Sequence, residues 1–456
     1  MARVAAQGGE VFGVAQRSRD MHNLGLASMG AVLEYFDFQV YVFVAAALSQ
    51  ALFPPGGSAA WNQIQAFGIY AIGYLVRPIA GMTIAHYADR IGRKKLFIFT
   101  VLLMSVPTLL MGLLPTYAQA GWLAPAALLV LRVLQGCAVG GELPGAGVFI
   151  SEHAKPGRLR FSSGFYNGVV NCGLLLGAGA AALAKYVAGL DPSWTQLAWR
   201  LPFILGGLFG LLAAYLRRHL EETPMFEEIR RERRLSREVP LAAVLRGYRW
   251  PCVFAVALVF VFSTTSGVYF QWLPNYLTGQ LHFSADVVFR ANVVGILLFV
   301  LGMPAWGALG DRFGWSALLT AAAVVNSAVA LWFFHALPGL APGDERLVWA
   351  MAAVGLFSGI IHAHIAGLIS ALFPTAIRQS GFAFPYSVGT AVFTGLTPLN
   401  LAWLSGLYGL AAPVGQVLVG AVVSLALALA VRRLSLFLGP QTRAGGAALS
   451  MPAAEH

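Results

Sequence analysis

Charge is what this sequence of 456 residues has least of: 11% of its residues are charged, whereas 58% are hydrophobic. Soluble domains carry roughly 25% charged residues, so an ordinary soluble domain is excluded and a lipid bilayer is the expected solvent. Three uncharged stretches, 96–114, 316–334 and 407–431, reach the roughly 20 residues that a helix needs to cross a hydrocarbon core. The composition therefore predicts a polytopic membrane protein.

Cysteine is also scarce, and catalytic motifs are missing. Cys137, Cys172 and Cys252 lie singly in apolar stretches without CxxC spacing, which favours small apolar side chains over disulfides or metal ligands. The chain contains neither a Gly-x-Ser-x-Gly nor a His-Glu-x-x-His motif, which argues against an intramembrane enzyme of the rhomboid-like or zinc-protease type. We predict no metal site, no cofactor and no enzymatic activity.

Twelve apolar stretches are predicted to span the bilayer as helices, six before and six after a long polar segment. That segment, 218–249, is predicted to be a cytoplasmic linker whose basic residues contact anionic lipid. It divides a six-helix bundle at 22–217 from a second at 250–433, with cytoplasmic tails at 1–21 and 434–456. The predicted spans are 26–48, 61–84, 96–115, 122–150, 163–188, 199–217, 250–277, 287–309, 316–337, 346–370, 381–401 and 407–431.

Basic residues are concentrated on one side of these spans. The net charge is +11, but no basic domain interleaved with aromatic residues stands apart, so nucleic acid is not an expected partner. Twelve spans put both termini on one side, and the loops and tails of that side hold 24 of the 30 Lys and Arg residues. The positive-inside rule makes this side cytoplasmic. Residues 1–20 contain charges and lack the apolar core of a cleavable signal peptide.

The two halves repeat each other at corresponding places. The sequence AHYADRIGRKK at 85–95, between spans 2 and 3, matches GALGDRFGWS at 307–316, between spans 8 and 9. A second pair, RLRFSSGFYNG at 158–168 and TAIRQSGFAFP at 375–385, follows spans 4 and 10. Duplicated six-helix units are typical of transporters that bind substrate near the midplane between their halves. The repeat predicts an all-α protein of two pseudo-symmetric six-helix bundles that transports by alternating access.

These motifs resemble those of the major facilitator superfamily, in particular its metabolite:proton symporter family, which includes permeases for α-ketoglutarate, citrate, shikimate and proline/betaine. The resemblance covers about residues 22–435. It implies the major facilitator fold, a monomer in the bacterial inner membrane, and uptake of a small solute with protons. Leu143 and Pro144 stand where the family usually has an aromatic residue, which leaves the substrate open. Besides the loop repeats, the motifs are LEYFDFQVY in helix 1, YLVRPIAG in helix 2, LRVLQGCAVGGE in helix 4, AWRLPF in helix 6 and LFPTAIRQSG after helix 10.

Two carboxyl groups lie within the first predicted span. Glu34, Asp37 and Tyr41 share one helical stripe, and Asp37 lies ~16 Å along the helix, near the centre of a ~30 Å core. A charge in a span costs about 3 kcal/mol, so such groups normally face protein or a water-filled cavity. Burial favours a neutral carboxyl, and a neighbouring arginine favours the ionised form. We predict that Asp37, with Glu34 as its partner, binds and releases the coupling proton; a permanent ion pair with an arginine is the alternative.

Two arginines also lie inside predicted spans. Arg132 is about 15 Å deep in helix 4, level with Asp37, and its guanidinium can hold a carboxylate with two hydrogen bonds. Arg77 lies nearer the cytoplasm, and the family resemblance implies that it also contacts an anionic substrate. The alternative for each arginine is pairing with a carboxylate of helix 1 or with backbone carbonyls.

The helical period selects further residues for the substrate cavity. Thr264 and Gln271 share a face of helix 7, and His362 and His364 are about 200° apart around helix 10. His362 lies on a small, polar face and is predicted to line the cavity; a core histidine bonded to a neighbour is the alternative. The other predicted substrate-binding residues are Tyr41, Tyr166, Asn171, Asn292 and Tyr386.

Charged residues near the cytoplasmic ends of the helices are predicted to form a gate. Ion pairs among them would form when the transporter faces outward and break when it opens inward, because alternating access needs an element with two states. A solvated interface without ion pairs is the alternative. The predicted gate residues are Asp89, Arg90, Arg93, Glu142, Arg158, Arg160, Asp311, Arg312 and Arg378.

The leading functional hypothesis is a proton-coupled importer of a small organic anion, that is, a mono-, di- or tricarboxylate. Uptake of a zwitterionic compatible solute or of a carboxylate siderophore is the alternative within transport. A non-transporting sensor would need an appended signalling domain, and the predicted tails are short. The expected partners are therefore the anion, protons and membrane lipid.

Overall fold

The computed structural model describes residues 31–437 except 56–57, 81–92, 139–144, 146, 149, 152–153, 156, 195–196, 218–243, 246 and 375–376. These described residues are almost entirely helical. Their helices account for each of the twelve predicted spans, and we number them α1 to α12 in chain order. We call α1–α6 the N-half and α7–α12 the C-half.

The N-half helices follow the predicted spans closely. α1 consists of two pieces, Ala31–Phe43 and Ala45–Leu52, which are bent by 61°. Ser58 caps the N-terminus of α2: its side chain accepts a hydrogen bond from the Trp61 backbone N–H at 3.2 Å. Serine is a preferred N-cap residue. The remaining helices are α2 (Ala59–Leu75, continuing to residue 80), α3 (Arg93–Gly112), α4 (Leu123–Ala138), α5 (Leu159–Leu190) and α6 (Leu201–Arg217).

The described C-half helices contain two π-helical interruptions. α7 (Arg249–Gly279) includes a π-helical turn, Gly267–Trp272, and a π-helical turn at Thr390–Thr394 interrupts α11. Such turns are rare and are often found at functional sites. The bounds of the other helices are 285–313 for α8, 315–336 for α9, Arg346–Ala371 for α10, Arg378–Gly389 with Gly395–Tyr408 for α11, and Ala411–Phe437 for α12.

The second Asp-Arg-x-Gly repeat forms the junction between α8 and α9. Helical structure runs from Ala285 to Ala336 on both sides of Gly314, which alone departs from helical geometry there, with φ 84° and ψ 169°. A positive φ is favourable for glycine because it has no Cβ atom. The glycine of this repeat therefore lets the chain reverse direction with only one non-helical residue.

Each half packs by the same helix pairs, which is the pseudo-symmetry that the repeat predicts. α2 meets α4 where Gly73 lies against Gly136, and α8 meets α10 where Gly295 lies against Gly355. A Cβ atom added to Gly136 or to Gly355 would collide with the backbone of the facing helix, so small residues are needed where these helices approach each other. In the same way α3 packs on α6 as α9 packs on α12, and α1 packs on α5 as α7 packs on α11.

The helices differ in how much surface they leave for lipid. In the described part of the chain, six unbroken helical stretches and the bent α1 are long and apolar enough to cross a membrane, and shorter apolar helices cover Ile98–Gly112 and Leu123–Ala138. The most apolar windows of α7 and α10 are 78% and 83% buried, whereas that of α12 is 28% buried. α7 and α10 are therefore central helices, and α12 lies at the periphery.

Candidate functional site

A cluster of arginine and aromatic side chains lies where α1, α2 and α4 meet. The guanidinium carbon of Arg132 is 4.2 Å from the ring centroid of Tyr41, 4.7 Å from that of Phe38 and 5.3 Å from that of Tyr70. Arg132 is fully buried. Aromatic ring faces carry negative potential, so they stabilise a buried cation without neutralising its charge.

Arg77 is held by the same aromatic cluster. Its guanidinium carbon lies 3.7 Å from the ring centroid of Phe38 and 3.8 Å from that of Tyr74. Arg77 is also within electrostatic range of Tyr35 and Tyr386. The two arginines of the N-half therefore share the Phe38 ring, and Arg77 extends the positive charge toward the interface with the C-half.

The two predicted coupling acids are both buried. Asp37 is 1% exposed and Glu34 is 4% exposed. The position that a Cβ on Gly206 would occupy is 2.8 Å from Asp37 Oδ1 and 3.2 Å from the Thr108 methyl group, so Asp37 faces α3 and α6. Neither carboxylate oxygen of Asp37 has a hydrogen bond of normal distance and angle to another described residue, although the Thr108 side chain is close enough for a weak hydrogen bond and Arg132 for an electrostatic interaction. In this conformation Asp37 and Arg132 are neighbours that do not hydrogen-bond to each other.

A chain of hydrogen bonds fixes one side of the Arg132 guanidinium. Nη1 of Arg132 donates to Gln135 Oε1 at 2.7 Å, and Nε2 of Gln135 donates to Thr108 Oγ1 at 2.6 Å. The Thr108 hydroxyl is also 2.9 Å from the Met104 carbonyl, to which it donates. Nε and Nη2 of Arg132 have no hydrogen-bond partner in the described part of the chain. These two nitrogens form the guanidinium edge that can hold both oxygens of a carboxylate.

A cavity of about 30 Å³ lies between the two halves. α1 and α5 line it from the N-half, and α7, α10 and α11 line it from the C-half. The cavity is large enough for water but too narrow, in this conformation, for an organic acid. The described residues that line it are Tyr35, Tyr166, Asn167, Val170, Asn171, Phe262, His362, Ile365, Ala366, Phe382 and Tyr386.

The structure brings four of the predicted substrate-binding residues together in this cavity, namely Tyr166, Asn171, His362 and Tyr386. The His362 ring packs edge-to-face on Phe262, with centroids 4.9 Å apart. Nδ1 of His362 is 3.2 Å from the Ser358 carbonyl, and Nε2 has no partner among the described residues. With Nδ1–H donating to the carbonyl, Nε2 is left as a hydrogen-bond acceptor.

Other predicted substrate-binding residues lie outside the described lining of the cavity. The Thr264 hydroxyl donates to the Val261 carbonyl at 2.6 Å and lies against Gly420 of α12, where an added Cβ would be 2.6 Å from Thr264 Oγ1. Asn292 is buried in α8. Tyr41 contacts Arg132 rather than the cavity. Their predicted role in substrate binding stays a prediction, and it would require a different conformation.

Several residues that line the cavity were not predicted from the sequence. Tyr35 adjoins Glu34 in the sequence but points toward the cavity from α1, and Asn167 lies one turn before Asn171 on α5. Phe382 lies one turn before Tyr386 on α11, on the same helical face. Asn167 and Phe382 could have been predicted from the sequence, because each lies four residues from a predicted cavity residue and therefore on the same helical face.

The two halves are joined at the end of the bundle where α5 and α11 begin, which we call the basic end. Asp311, from the second Asp-Arg-x-Gly repeat, accepts hydrogen bonds from the backbone N–H groups of Arg160 at 3.0 Å and Phe161 at 3.2 Å. These groups belong to the first turn of α5, where the helix dipole favours a negative charge. The Ser163 hydroxyl also accepts a hydrogen bond from the Gly367 N–H of α10 at 2.9 Å.

Asp311→Asn is expected to weaken closure at the basic end, because it removes the charge that interacts with the α5 dipole. That interaction is worth about 0.3–2 kcal/mol, so the open fraction should rise roughly 2- to 30-fold. The measurement is the rate at which an impermeant thiol reagent modifies a cysteine introduced at Asn167, in a chain whose native cysteines are replaced by serine. Asp286→Asn, an exposed change in α8, is the control. Equal rates in both variants would contradict the prediction.

Other predicted gate residues make contacts within or between halves. The guanidinium carbon of Arg160 lies 4.6 Å from the ring centroid of Trp315, so it stacks on the C-half. Nε of Arg378 lies 3.1 Å from the Ser370 carbonyl and 3.2 Å from the Phe373 carbonyl. Arg378 therefore stabilises the carboxyl end of α10, where a cation is favourable.

The structure describes only some of the remaining predicted gate residues. Arg158 lies 5.9 Å from the Phe161 ring centroid, and Arg312 is exposed. Their predicted role as gate residues stays a prediction. Asp89, Arg90, Glu142 and the side chain of Arg93 lie outside the described residues.

The halves also meet at the opposite end of the bundle. Nδ2 of Asn275 in α7 donates to the Val42 carbonyl of α1 at 3.0 Å. The Tyr70 hydroxyl of α2 donates to Gln271 Oε1 at 3.4 Å, so Gln271 contributes to this contact rather than to the cavity. Among the described residues, the halves therefore touch on both sides of the cavity.

Known proteins with similar sequences and folds share this architecture. The chain is 32% identical over 391 residues to the proline/betaine transporter of Salmonella typhimurium, covering 83% of this chain and 76% of that protein. It is 32% identical over 378 residues to the citrate-proton symporter of Salmonella typhi, covering 81% and 84%. In structure it resembles a proton:xylose symporter bound to 6-bromo-6-deoxy-D-glucose, with a TM-score of 0.69 and 16% identity, covering 91% and 96%; that likeness concerns the fold alone.

Two pseudo-symmetric six-helix halves that enclose a polar centre and touch at both ends define a secondary transporter of the membrane. The sequence model of the Major Facilitator Superfamily matches residues 27–389. The chain therefore belongs to this superfamily. The predicted fold and the predicted class are confirmed: the protein is a multi-pass membrane transporter and not an enzyme.

Proposed function

We propose that this transporter imports a small organic anion, a mono-, di- or tricarboxylate, together with protons. The observation that carries the proposal is the free guanidinium edge of Arg132: Nε and Nη2 are buried and have no partner among the described residues. A buried donor without an acceptor costs free energy. A substrate carboxylate would supply both acceptors in the bidentate geometry that arginine favours.

The balance of buried charge supports proton coupling. Arg77 and Arg132 are two buried cations, and Glu34 and Asp37 are two buried acids of the same region. When both acids are ionised they offset the two guanidinium charges, whereas protonated acids leave the positive charge available to an anion. Proton binding and anion binding therefore favour each other, and this mutual effect is reciprocal by thermodynamic linkage.

A zwitterionic compatible solute is the second candidate. Five aromatic side chains line the cavity, and aromatic rings bind quaternary ammonium groups. The relative named as a proline/betaine transporter also favours this candidate. The rings that contact Arg77 and Arg132, Phe38 and Tyr41, are not among these five, so they neither favour nor oppose this candidate. In this conformation the cavity is too narrow for any of these substrates, so its size does not separate a siderophore from a small carboxylate.

Uptake into proteoliposomes separates these candidates. Purified protein is reconstituted, and labelled citrate, succinate, lactate, glycine betaine and proline are offered with and without an inward proton gradient. We expect at least one of the carboxylate anions to accumulate above its external concentration only when the gradient is present. If glycine betaine accumulates and none of the anions does, the substrate is a zwitterion and not an organic anion. If the proton gradient has no effect on uptake, proton symport is ruled out.

The same proposal includes an orientation and an assembly. We propose that the basic end and both termini face the cytoplasm of a bacterium, as the distribution of basic residues favours. A monomer is the proposed transport unit because one chain supplies both halves of the cavity. Reaction of a cysteine introduced at the exposed Gln50 with an impermeant reagent on intact cells tests the orientation, since Gln50 would then lie outside.

A further inference from the structure

We infer that Thr108 of α3 and Gln135 of α4 form a relay that couples protonation of Asp37 to the anion-binding edge of Arg132. The inference rests on the proposed function, because it assigns a proton to Asp37 and a carboxylate to Arg132. Neither Thr108 nor Gln135 was selected by the sequence analysis. Both residues are positioning residues, since each acts through a neighbouring side chain.

The relay is a chain of buried hydrogen bonds that ends beside Asp37. Arg132, Gln135 and Thr108 are each fully buried, and the hydrogen bonds of 2.7 Å and 2.6 Å join them in this order. Asp37 lies beside the other end, because its Oδ1 and the Thr108 methyl group both adjoin the same point next to Gly206. The path thus runs from the predicted proton site on α1, through α3, to the guanidinium on α4.

The Thr108 hydroxyl is the element of this path that can take two states. A hydroxyl has one proton to donate, and in this structure it donates to the Met104 carbonyl. An ionised Asp37 offers a stronger acceptor, because hydrogen bonds to a charged group are roughly twice as strong as neutral ones. Rotation of the hydroxyl toward Asp37 would change the lone pair that it presents to the Gln135 amide.

The Gln135 amide transmits this change to Arg132. Its Nε2 donates to the hydroxyl of Thr108, and its Oε1 accepts from Nη1 of Arg132, so the amide cannot turn without moving both contacts. While Gln135 holds Nη1, only the edge formed by Nε and Nη2 is available to a carboxylate. When Asp37 takes up a proton, Thr108 returns to the Met104 carbonyl and the guanidinium is held in the orientation seen here, ready for the anion.

The test compares proton-driven accumulation with substrate exchange in proteoliposomes. Exchange needs both carboxylate binding and alternation of access, but it needs no net movement of protons. Thr108→Val, which replaces the hydroxyl by a methyl group of similar size, should keep the maximal exchange rate within about twofold. It should lower proton-driven accumulation by about tenfold or more and flatten its pH profile. Thr108→Ser should restore both. Gln135→Leu should raise KM for the carboxylate about tenfold, with the maximal exchange rate little changed.

The matched control is Ser105→Ala, one turn earlier on α3. The Ser105 hydroxyl is also fully buried, and it donates only to the Val101 carbonyl of its own helix at 2.8 Å. If Thr108→Val gives the same accumulation and the same pH profile as Ser105→Ala, the relay is wrong. Accumulation of a carboxylate by the unmodified protein would still support the proposed function. If the unmodified protein accumulates no carboxylate, the proposed function and the relay both fail. The KM effect of Gln135→Leu tests the relay independently if Thr108→Val does not fold.

Discussion

Asp37→Asn is expected to abolish proton-driven accumulation of the substrate while substrate exchange continues. Asparagine has the size of aspartate but cannot take up or release a proton, so the variant resembles the protonated state at every pH. The anion then binds beside Arg132 and the halves alternate, but no proton is carried with it. The accumulation ratio should fall to about one, and the pH dependence of uptake should disappear. The measurement is labelled uptake and labelled exchange in the same proteoliposomes across external pH.

Glu34→Gln and Asp286→Asn complete this experiment. Asp286 is an exposed acid that forms an ion pair with Arg290, so its substitution should leave accumulation unchanged. Glu34→Gln should reduce accumulation less than Asp37→Asn does, because Glu34 lies nearer the predicted cytoplasmic end of α1. If Asp37→Asn still concentrates substrate as well as the unmodified protein does, Asp37 is not the coupling residue. The assignment of the fold would not be affected by that result.

Substitution of Arg132 is the second change with a large expected effect. Arg132→Lys keeps the positive charge but replaces the planar pair of donors with a single ammonium group, which is not a conservative change at a bidentate site. We expect KM for the carboxylate to rise roughly 10- to 100-fold, as for the loss of one hydrogen bond to a charged group. Arg132→Gln also removes the charge and should eliminate measurable uptake. Initial rates of exchange over a range of substrate concentrations provide KM.

Two comparisons separate a loss of binding from a loss of folding. Arg290→Lys changes an exposed arginine, half of whose side chain is accessible, and should leave KM unaltered. The thermal unfolding temperature of Arg132→Lys, measured in detergent, should stay close to that of the unmodified protein because lysine keeps the interaction with the surrounding rings. An unchanged KM in a folded Arg132→Lys variant would show that the anion binds elsewhere.

Contacts between the two halves lie on both sides of the cavity. At the basic end, Asp311 binds the first turn of α5, and at the opposite end Asn275 binds the Val42 carbonyl of α1. Both contacts join one half to the other. We propose that alternating access uses these two sets of inter-half contacts, which open in turn.

The helices and their order were accessible from the sequence because the bilayer imposes a simple length rule. Every predicted span is matched by a helix, since an apolar run in lipid must satisfy its own backbone hydrogen bonds. The repeat likewise predicted equivalent halves, and the helix pairs confirm them. Interruptions such as the π-helical turn Gly267–Trp272 were not predicted, because they depend on packing against neighbouring helices.

Individual cavity residues were harder to predict than the helices that carry them. The central arginines and acids were recognisable because charge within a span is costly and rare. Thr264 and Tyr35 show the limit of helical periodicity: Thr264 lies against α12, and Tyr35 reaches the cavity from the residue next to Glu34. Periodicity gives the face of a helix, but it does not give the neighbour that the face meets.

The sequence by itself determined the membrane environment, the number and order of the helices, the duplicated halves and the buried charges, because each follows from composition or from local spacing. Only the tertiary structure decided that Gln135 and Thr108 occupy one side of Arg132, that Asp37 faces α3 and α6, and that the halves meet on both sides of the cavity. Those features depend on side chains far apart in the chain, whose contacts are set by helix packing. Local sequence patterns contain no information on such distances.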